Sequence, residues 1–446
     1  METPICDFVR RYAESGALRL HMPGHKGRGA LGVEHLDITE IDGADSLYEA
    51  DGIIRQSEKN AGSLFGAETF YSTEGSSQCI RAMLYLAVLY AKSRGKKPVI
   101  AAARNVHKTF LSAAALLDAD VMWLYPRQPE GYLSCRLEAE EIDGIFSGME
   151  EKPAALYLTS PDYLGNLADV RAISQVCHRH GVLLITDNAH GAYLRFLRPS
   201  LHPMDLGADL CCDSAHKTLP VLTGGAYLHI AKSAPVLLAE QAKNALAMFG
   251  STSPSYLILQ SLDRANAYLA QGYSDLLAAF LPHVQAVKDS LRAHGYVLQG
   301  DEPLKITISA KPYGYEGRQM AKLLLEAGVV CEFADPDFVV LMLTPEIPVE
   351  ALRRLEEALC AIAKRSALTE TPPAFHRCEA VMSIREASFS PCETVPVKDS
   401  VGRVLAAASV SCPPAVPIVV CGERIDAAAL RCFSYYGTET CTVVKY

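Results

Sequence analysis

A lysine that follows a short apolar segment is the residue of this sequence best suited to covalent chemistry. Residues 208–212 have the composition of a buried strand, and Ser214, His216 and Lys217 follow within five positions. An ammonium group is costly to bury, so desolvation favours the neutral amine, which is a nucleophile toward aldehydes. A surface lysine in a loop has the same local sequence, and this segment alone does not distinguish the two interpretations.

Four other polar segments follow apolar runs in the same way. These four segments are residues 75–77, 105–107, 160–163 and 187–190, and residues 214–217 are the fifth. Any one of them is an ordinary helix cap or turn. Five in succession predict one functional edge of a sheet, because ligands of open parallel sheets bind at the carboxyl ends of the strands.

The elements that would position these segments alternate along the chain. Short apolar runs at 98–103, 120–125, 154–159, 182–186, 208–212 and 226–230 are interspersed with helical patterns at 108–117, 137–145 and 169–180. Continuous apolar runs are typical of strands buried on both faces, and strand–helix alternation predicts parallel crossovers. We therefore expect an α/β fold with a mostly parallel central sheet flanked by helices, plus a smaller α+β C-terminal domain.

A candidate phosphate site lies at residues 74–77, Glu-Gly-Ser-Ser. A strand is predicted before it at 70–73 and an apolar helix after it at 78–92. Free backbone N–H groups, two hydroxyls and the positive end of the helix dipole would converge there. The spacing is not that of a P-loop, and serine and glycine are also ordinary capping residues.

A phosphate site, a carboxylate and a nucleophilic lysine together predict pyridoxal 5'-phosphate (PLP) as the cofactor. Lys217 would form the Schiff base, and Asp187 would keep the pyridinium nitrogen protonated, which makes the ring an electron sink. Ala189 is small enough to pack beneath the ring, and His107 would stack on the opposite face. The phosphate-binding residues would be Gly75, Ser76, Ser77, Ser214 and His216.

Seven segments in this order resemble the fold-type-I Orn/Lys/Arg decarboxylases, specifically the short group that includes bacterial biosynthetic arginine decarboxylases. The resemblance covers nearly the whole chain. The segments are His-Met-Pro-Gly-His-Lys-Gly at 21–27, Asp-Ile-Thr-Glu at 37–40, Asn-Val-His-Lys at 105–108, Asp-Asn-Ala-His-Gly at 187–191, Ser-Ala-His-Lys-Thr-Leu-Pro at 214–220, Thr-Ser-Pro-Ser-Tyr at 252–256 and Pro-Pro-x-x-Pro…Gly-Glu-x-Ile at 413–425.

The resemblance implies the same cofactor roles for the residues named above and places His190 close to the ring oxygen. It implies a homodimer or dimer of dimers with the active site at the interface, where Ser251 or Thr252 reaches the partner's cofactor phosphate. The implied reaction is decarboxylation of a basic amino acid for polyamine biosynthesis. Arginine, which gives agmatine and CO2, is favoured, and lysine and ornithine stay open. Lys217 and His216 are both candidates for the Cα proton donor.

A long cationic substrate side chain needs carboxylates at its far end. Glu423 and the acidic segment 37–49, with Asp45, are the candidates. Two departures from the family pattern lie near them. Relatives usually carry a proline ahead of the glycine in both places, where this sequence has Ala-Asp-Gly at 50–52 and Cys-Gly-Glu at 421–423. Because both departures lie near the candidate substrate carboxylates, they bear on the identity of the substrate rather than on the cofactor.

Composition excludes several other classes of protein. The formal net charge of −9 argues against nucleic acid as a partner. No run of 18 apolar residues predicts a membrane span, and the first residues lack the pattern of a signal peptide. The 14 scattered cysteines form no C-x-x-C pair, which indicates reduced thiols in a cytoplasmic protein. Cys-His-Arg-His at 177–180 reads as a solvated helix end, so no metal is expected.

We expect four segments along the chain. They are an N-terminal segment at 1–50 that contributes to the active site or dimer, a PLP-binding α/β domain at 51–295, a small α+β domain at 296–368 and a Pro-rich C-terminal subdomain at 369–446.

Two alternative functions remain. A fold-type-I aminotransferase or lyase on another amino acid would share the cofactor. An aminotransferase typically binds the substrate α-carboxylate with an arginine of the small domain, but Arg353, Arg354 and Arg365 lie in no recognisable motif of this kind. A non-enzymatic binding module would have lost Lys217 or its supporting residues, and all of them are present.

Overall fold

The computed structural model describes residues 1–127, 131–407 and 415–445. The chain divides into two compact units. The first unit comprises Met1–Lys97, Ala154–Leu156 and Val170–Leu277, and the second comprises Pro98–Pro153, Tyr157–Asp169 and Ala278–Tyr446. Pro413 and Pro414 of the terminal family segment lie outside the described residues.

Sixteen α-helices occur among the described residues. In chain order they are α1 (Pro4–Glu14), α2 (Ile53–Phe65), α3 (Gly75–Ser93), α4 (Lys108–Leu117), α5 (Ala139–Ser147), α6 (Val170–Arg179), α7 (Pro203–Leu206), α8 (Ala215–Thr218), α9 (Val236–Glu240), α10 (Ala242–Ala247), α11 (Tyr256–Ala270), α12 (Tyr273–Ala293), α13 (Gly317–Glu326), α14 (Val349–Cys360), α15 (Ile384–Phe389) and α16 (Ala427–Tyr436). None of these helices combines the length and the apolar character that a membrane crossing requires.

The strands of the described residues are equally numerous and short. They are β1 (Glu68–Ser72), β2 (Val99–Ala103), β3 (Asp120–Leu124), β4 (Ala155–Thr159), β5 (Leu183–Asp187), β6 (Leu210–Asp213), β7 (Ala226–Ile230), β8 (Val297–Gln299), β9 (Lys305–Ser309), β10 (Phe333–Ala334), β11 (Phe338–Met342), β12 (Glu379–Ala380), β13 (Cys392–Pro396), β14 (Leu405–Ala407), β15 (Glu423–Arg424) and β16 (Thr440–Val444).

In the first unit, the strands follow the order β1-β7-β6-β5. β5 and β6 are parallel, with Asp187 opposite Cys212. β7 runs antiparallel to both β6 and β1. Every residue of β5, β6 and β7 is buried, as their continuous apolar composition predicts. Because β5 and β6 are parallel, their last residues, Asp187 and Asp213, lie at the same edge of the sheet.

In the second unit, β2 and β3 form a parallel pair. It also contains a four-stranded antiparallel sheet in the order β10-β11-β9-β8, which α13 contacts through β11 and β10. The C-terminal segment adds an antiparallel sheet, β13-β16-β14, and a two-stranded ladder of β12 and β15. The buried side chains of Val397, Leu405, Phe433 and Val443 belong to one apolar cluster of this segment.

Several sequence-based boundaries were wrong. Helix α3 begins at Gly75 rather than at residue 78, so the glycine and both serines form its first turn. Pro282 lies inside α12 without ending it. Helices α9 and α10 are separated at Gln241, and β10 contains only two residues.

Candidate active site

Lys217 lies in α8, the single helical turn that follows β6. Its side chain is half-buried, and its Nζ lies 3.0 Å from Nε2 of His190. His190 is itself buried and belongs to the segment that follows β5. The structure therefore brings together the candidate lysine and a histidine from two of the predicted strand-end segments.

Asp187 ends β5 and is buried. Its Oδ1 accepts a hydrogen bond from the backbone N–H of Ala189 at 3.2 Å and one from the Cys212 thiol at 3.6 Å. Burial, followed by the charge of Asp187, raises the pKa of Cys212 well above its ordinary value, so this thiol stays protonated and acts as a donor. The carboxylate is thus held rigidly at the sheet edge by its own loop and by the neighbouring strand.

The first turn of α3 forms the candidate phosphate site. Gly75 has φ +71°, and its N–H donates to the Gly224 carbonyl at 2.7 Å. The Ser214 hydroxyl donates to the Ser76 hydroxyl at 2.7 Å. The N–H groups of a first helical turn have no intrahelical acceptor, so they are directed toward the same end of α3 as these hydroxyls.

His216 lies against this site, because a Cβ added to Gly75 would lie 3.8 Å from its Cε1 atom. Its Nδ1 lies 3.0 Å from the Gly225 carbonyl oxygen, which accepts, so the proton is on Nδ1. Burial, together with the charge of Lys217, lowers the pKa of His216 below its ordinary value. The ring is therefore neutral near pH 7 in this structure, with Nε2 as its remaining polar atom.

His107 and Glu423 belong to the second unit. His107 is the N-cap of α4, where its Nδ1 accepts from the Thr109 N–H at 3.1 Å. Glu423 is buried, and its Oε2 accepts from the Val420 N–H at 2.7 Å and lies 3.6 Å from the Arg104 guanidinium. Both side chains thus have a local structural role in this chain.

Asp45 and the loop before α11 lie in the first unit. The Asp45 carboxylate accepts backbone N–H bonds at the start of α2, including those of Gly52 at 2.9 Å and Ile54 at 3.0 Å. It therefore caps this helix. Ser251 and Thr252 are exposed, and the Ser251 N–H donates to the Glu74 carboxylate at 2.5 Å.

Sequence reasoning missed Asp213, the residue between Cys212 and Ser214. Its carboxylate is fully buried and receives hydrogen bonds from Asn188, His202 and His229. A single aspartate before the Ser-Ala-His-Lys segment looks like an ordinary turn residue. The available signal was its place directly after the apolar run 208–212, where an unpartnered buried carboxylate would be too costly.

Comparison with known proteins identifies relatives over nearly the entire chain. The family model described as "Orn/Lys/Arg decarboxylase, major domain" matches residues 3–307, and that of the family's C-terminal domain matches residues 369–440. An arginine decarboxylase of Bacillus subtilis is 29% identical over 95% of this chain and 91% of its own length. An arginine decarboxylase of Halalkalibacterium halodurans is 28% identical over 96% and 92%, respectively.

Solved structures share the fold at lower identity. A lysine decarboxylase of Francisella novicida superimposes with a TM-score of 0.80 at 17% identity, over 99% of this chain and 79% of the other. The constitutive lysine decarboxylase of Escherichia coli gives 0.75 at 18% identity, over 100% and 82%. These similarities confirm the predicted α/β class, with its mostly parallel central sheet and smaller C-terminal domain.

Proposed function

The chain belongs to the Orn/Lys/Arg decarboxylase family, and from this premise we propose that it is a PLP-dependent decarboxylase of arginine that releases CO2 and agmatine. Decarboxylation of a basic amino acid follows from the family and from the curated relatives. The observation that carries the catalytic assignment is the 3.0 Å contact of Lys217 Nζ with His190. This pair joins the segments that follow β5 and β6, the parallel strands that end in Asp187 and Asp213.

The residues of the first unit fit PLP chemically. Ser76 and Ser214, with their hydroxyls 2.7 Å apart at the start of α3, would hold the phosphate together with Ser77, Gly75 and His216. The buried Asp187 carboxylate would hold the pyridinium nitrogen, Ala189 would pack beneath the ring, and Lys217 would bind the aldehyde. When bound, PLP supplies the electron sink that accepts the electron pair of the breaking Cα–carboxylate bond.

The protonation of the site supports Lys217 as the residue that returns a proton to Cα. His216 holds its Nδ1 proton on the Gly225 carbonyl, and burial keeps its ring neutral. The amine of Lys217 lies beside His190 instead, which can accept or return a proton at Nε2. We therefore assign proton return to Lys217 Nζ, and phosphate binding rather than acid catalysis to His216.

Arginine is the proposed substrate because four of the curated relatives, aligned over 95–97% of this chain, are named arginine decarboxylases. Glu423 and Asp45 remain predictions as substrate contacts. Their carboxylates already bind Arg104 and the start of α2, respectively, so neither contact supports the choice of arginine.

We also propose a cytoplasmic homodimer, or a dimer of dimers, that supplies polyamine precursors. The exposed apolar side chains of Leu18, Leu20 and Leu31, each more than 80% exposed, support a partner subunit that covers the N-terminal segment. Exposure of Ser251 and Thr252 is consistent with their reaching a partner's site.

A three-substrate assay tests the proposal. Purified protein with added PLP is offered arginine, lysine and ornithine, and released CO2 and the amine product are measured. We expect a kcat/KM for arginine at least tenfold above the others. Lys217→Ala should abolish turnover and the visible absorbance of the bound cofactor, whereas Lys232→Ala, which removes a lysine of the same unit that lies outside the proposed site, should retain both. A keto acid product, or preference for lysine, would contradict it.

A further inference from the structure

The Asp213 carboxylate is the meeting point of four side chains. Asn188 Nδ2 donates to its Oδ1 at 2.7 Å, and Nε2 of His202 and of His229 donate to its Oδ2 at 3.0 and 3.1 Å. The Cys211 thiol donates to Oδ1 at the longer distance of 3.8 Å. Asp213 and these four partners are fully buried. A buried carboxylate that receives four donors is both well satisfied and sharply oriented.

The two imidazoles have defined protons. His202 Nδ1 accepts from the Met204 N–H at 3.3 Å, which leaves its proton on Nε2, toward Asp213. His229 Nδ1 lies 2.9 Å from the Thr69 hydroxyl, which can donate to it. Burial opposes ionisation of Asp213, but the electrostatic attraction and hydrogen bonds of the histidines outweigh it and hold its pKa below the usual range.

These contacts link four elements of the first unit. Asn188 directly follows β5, and its own N–H donates to the Cys212 carbonyl at 3.0 Å. Asp213 ends β6, His229 lies in β7, and His202 caps α7. Asn188 stands next to Asp187, and Asp213 stands next to Ser214. One carboxylate therefore joins the two loops, 187–190 and 214–217, that carry most of the proposed cofactor site.

We propose that Asp213 is a positioning residue of this enzyme, which holds loops 187–190 and 214–217 in the mutual geometry that binds PLP. This inference rests on the proposed function. Asp213 does not itself contact the cofactor; it acts through Asn188 on Asp187 and through the backbone on Ser214 and Lys217.

The hydrogen-bond pattern explains why the conservative Asp213→Asn variant should lose the mutual geometry of loops 187–190 and 214–217. An asparagine offers one acceptor oxygen and one NH2 donor where four donors, including the Cys211 thiol, converge. His202 cannot change tautomer without losing the Met204 N–H. The new donor must therefore face Asn188, whose amide would have to turn. Asn188 Oδ1 has no hydrogen-bond partner among the described residues, but Gly191 packs closely against it, since an added Cβ there would lie 2.0 Å away.

The same pattern predicts a rescue. In the double variant Asp213→Asn/Asn188→Asp, the donor and acceptor of the bond between the two loops are exchanged. The amide oxygen introduced at position 213 would still accept from His202 and His229, and its NH2 group would donate to the new carboxylate at position 188. The loops would then recover their geometry without the original charge at position 213.

Asp263 provides a matched control. It is also fully buried in the first unit, and it receives three hydrogen bonds, from the N–H groups of Ile5 and Cys6 and from the Ser57 hydroxyl. These partners lie in α1 and α2, and none belongs to the loops 187–190 and 214–217. Asp263→Asn therefore reports the effect of losing a buried carboxylate without disturbing the link between these two loops.

The experiment measures the thermal midpoint of each chain without cofactor, the Kd for PLP, and the visible circular dichroism of bound PLP. We expect Asp213→Asn to weaken PLP binding at least tenfold and to change the dichroic band. Asp263→Asn should lower the midpoint but keep the Kd within threefold, and the double variant should recover most of the lost affinity. A Kd within threefold of wild type and an unchanged band for Asp213→Asn would overturn the inference.

Two further outcomes are distinguishable. If the wild-type chain neither binds PLP nor releases CO2, the proposed function fails; if it does both while Asp213→Asn matches it, only the inference fails. Should Asp213→Asn not fold, Asn188→Ala decides, because it removes one donor and leaves both histidines on Asp213. A Kd raised at least threefold is then expected, and an unchanged Kd would refute the role.

Discussion

Removal of the Glu423 carboxylate distinguishes a structural role of this residue from a substrate contact. Glu423 lies in β15, opposite Ala380 of β12. Its carboxylate lies 3.6 Å from the Arg104 guanidinium, which also donates to the carbonyls of Pro417 and Ile418 at 2.9 and 3.1 Å. The Arg104 side chain is 4% exposed. The pair therefore anchors the terminal segment to the loop that follows β2.

The expected loss of stability follows from the burial of the Arg104–Glu423 pair. Removing one partner of a buried ion pair typically costs about 3–5 kcal/mol, because the other charge is left unpaired. Arg104 keeps two carbonyl acceptors, and burial raises the pKa of Glu423, so the pair is weaker than an ideal one. We take about 3 kcal/mol for Glu423→Ala and about half of that for Glu423→Gln, which retains an acceptor for the Val420 N–H.

The assay combines stability with kinetics. At about 2 °C per kcal/mol for a chain of this size, Glu423→Ala should lower the thermal midpoint by about 6 °C. In a double-mutant cycle with Arg104→Met, the two losses should be non-additive by at least about 1 kcal/mol. The KM for arginine should stay within threefold of wild type for Glu423→Gln, provided that the protein is assayed below its transition.

The opposite pattern would refute this reasoning. A carboxylate that bound the substrate guanidinium in a buried site would be worth several kcal/mol of binding. Glu423→Gln would then raise the KM for arginine about a hundredfold or more and leave the thermal midpoint unchanged. That result would make Glu423 the substrate contact that the sequence pattern suggests.

Three further substitutions test individual contacts, each by thermal or urea unfolding. Burial raises the pKa of Asp335 from 3.8 to about 6, so the free energy of unfolding of the wild type should fall as pH rises from about 4 to 6. Asp335→Asn should remove this pH dependence and be more stable than wild type at pH 7.5 by at most about 3 kcal/mol. Lys243→Met leaves Glu58 buried without its 2.5 Å ion pair and should cost about 3 kcal/mol, with recovery in the double variant with Glu58→Gln. Gly422→Ala should cost at least about 2 kcal/mol of stability, because φ of Gly422 is +90° and the new Cβ would lie 2.3 Å from the Met382 carbonyl oxygen. For each of the three variants, a stability equal to that of the wild type would contradict the expectation.

Much of the first unit was predictable from the sequence because its strands are continuous apolar runs. The prediction for 226–230 coincides with β7, and that for 182–186 differs from β5 by one residue at each end. The second unit was predicted less completely. Strand β12 contains only two residues and is half polar, and β13 alternates exposed and partly buried side chains, so neither gives a clear apolar pattern.

The proline in α12 shows why local rules have limits. Pro282 predicts an interruption, yet the helix continues from Tyr273 to Ala293. Leu277, Phe280, Val284 and Leu291 on this helix are all buried. Burial of this apolar face stabilises the helix enough to offset the one backbone hydrogen bond that proline removes.

The sequence by itself predicted the chemistry of the proposed site. A lysine after a buried strand, a carboxylate at the end of another and two serines at a helix start are visible as residue types and spacings, because strand ends and helix starts are local features. Only the tertiary structure decided which charged groups are already occupied. Asp45 caps a helix, Glu423 faces Arg104, and Asp213 receives two histidines and an asparagine. A buried carboxylate must find donors wherever the fold supplies them, and those donors can lie hundreds of positions away in the chain, as between Arg104 and Glu423, where local sequence patterns carry no information about them.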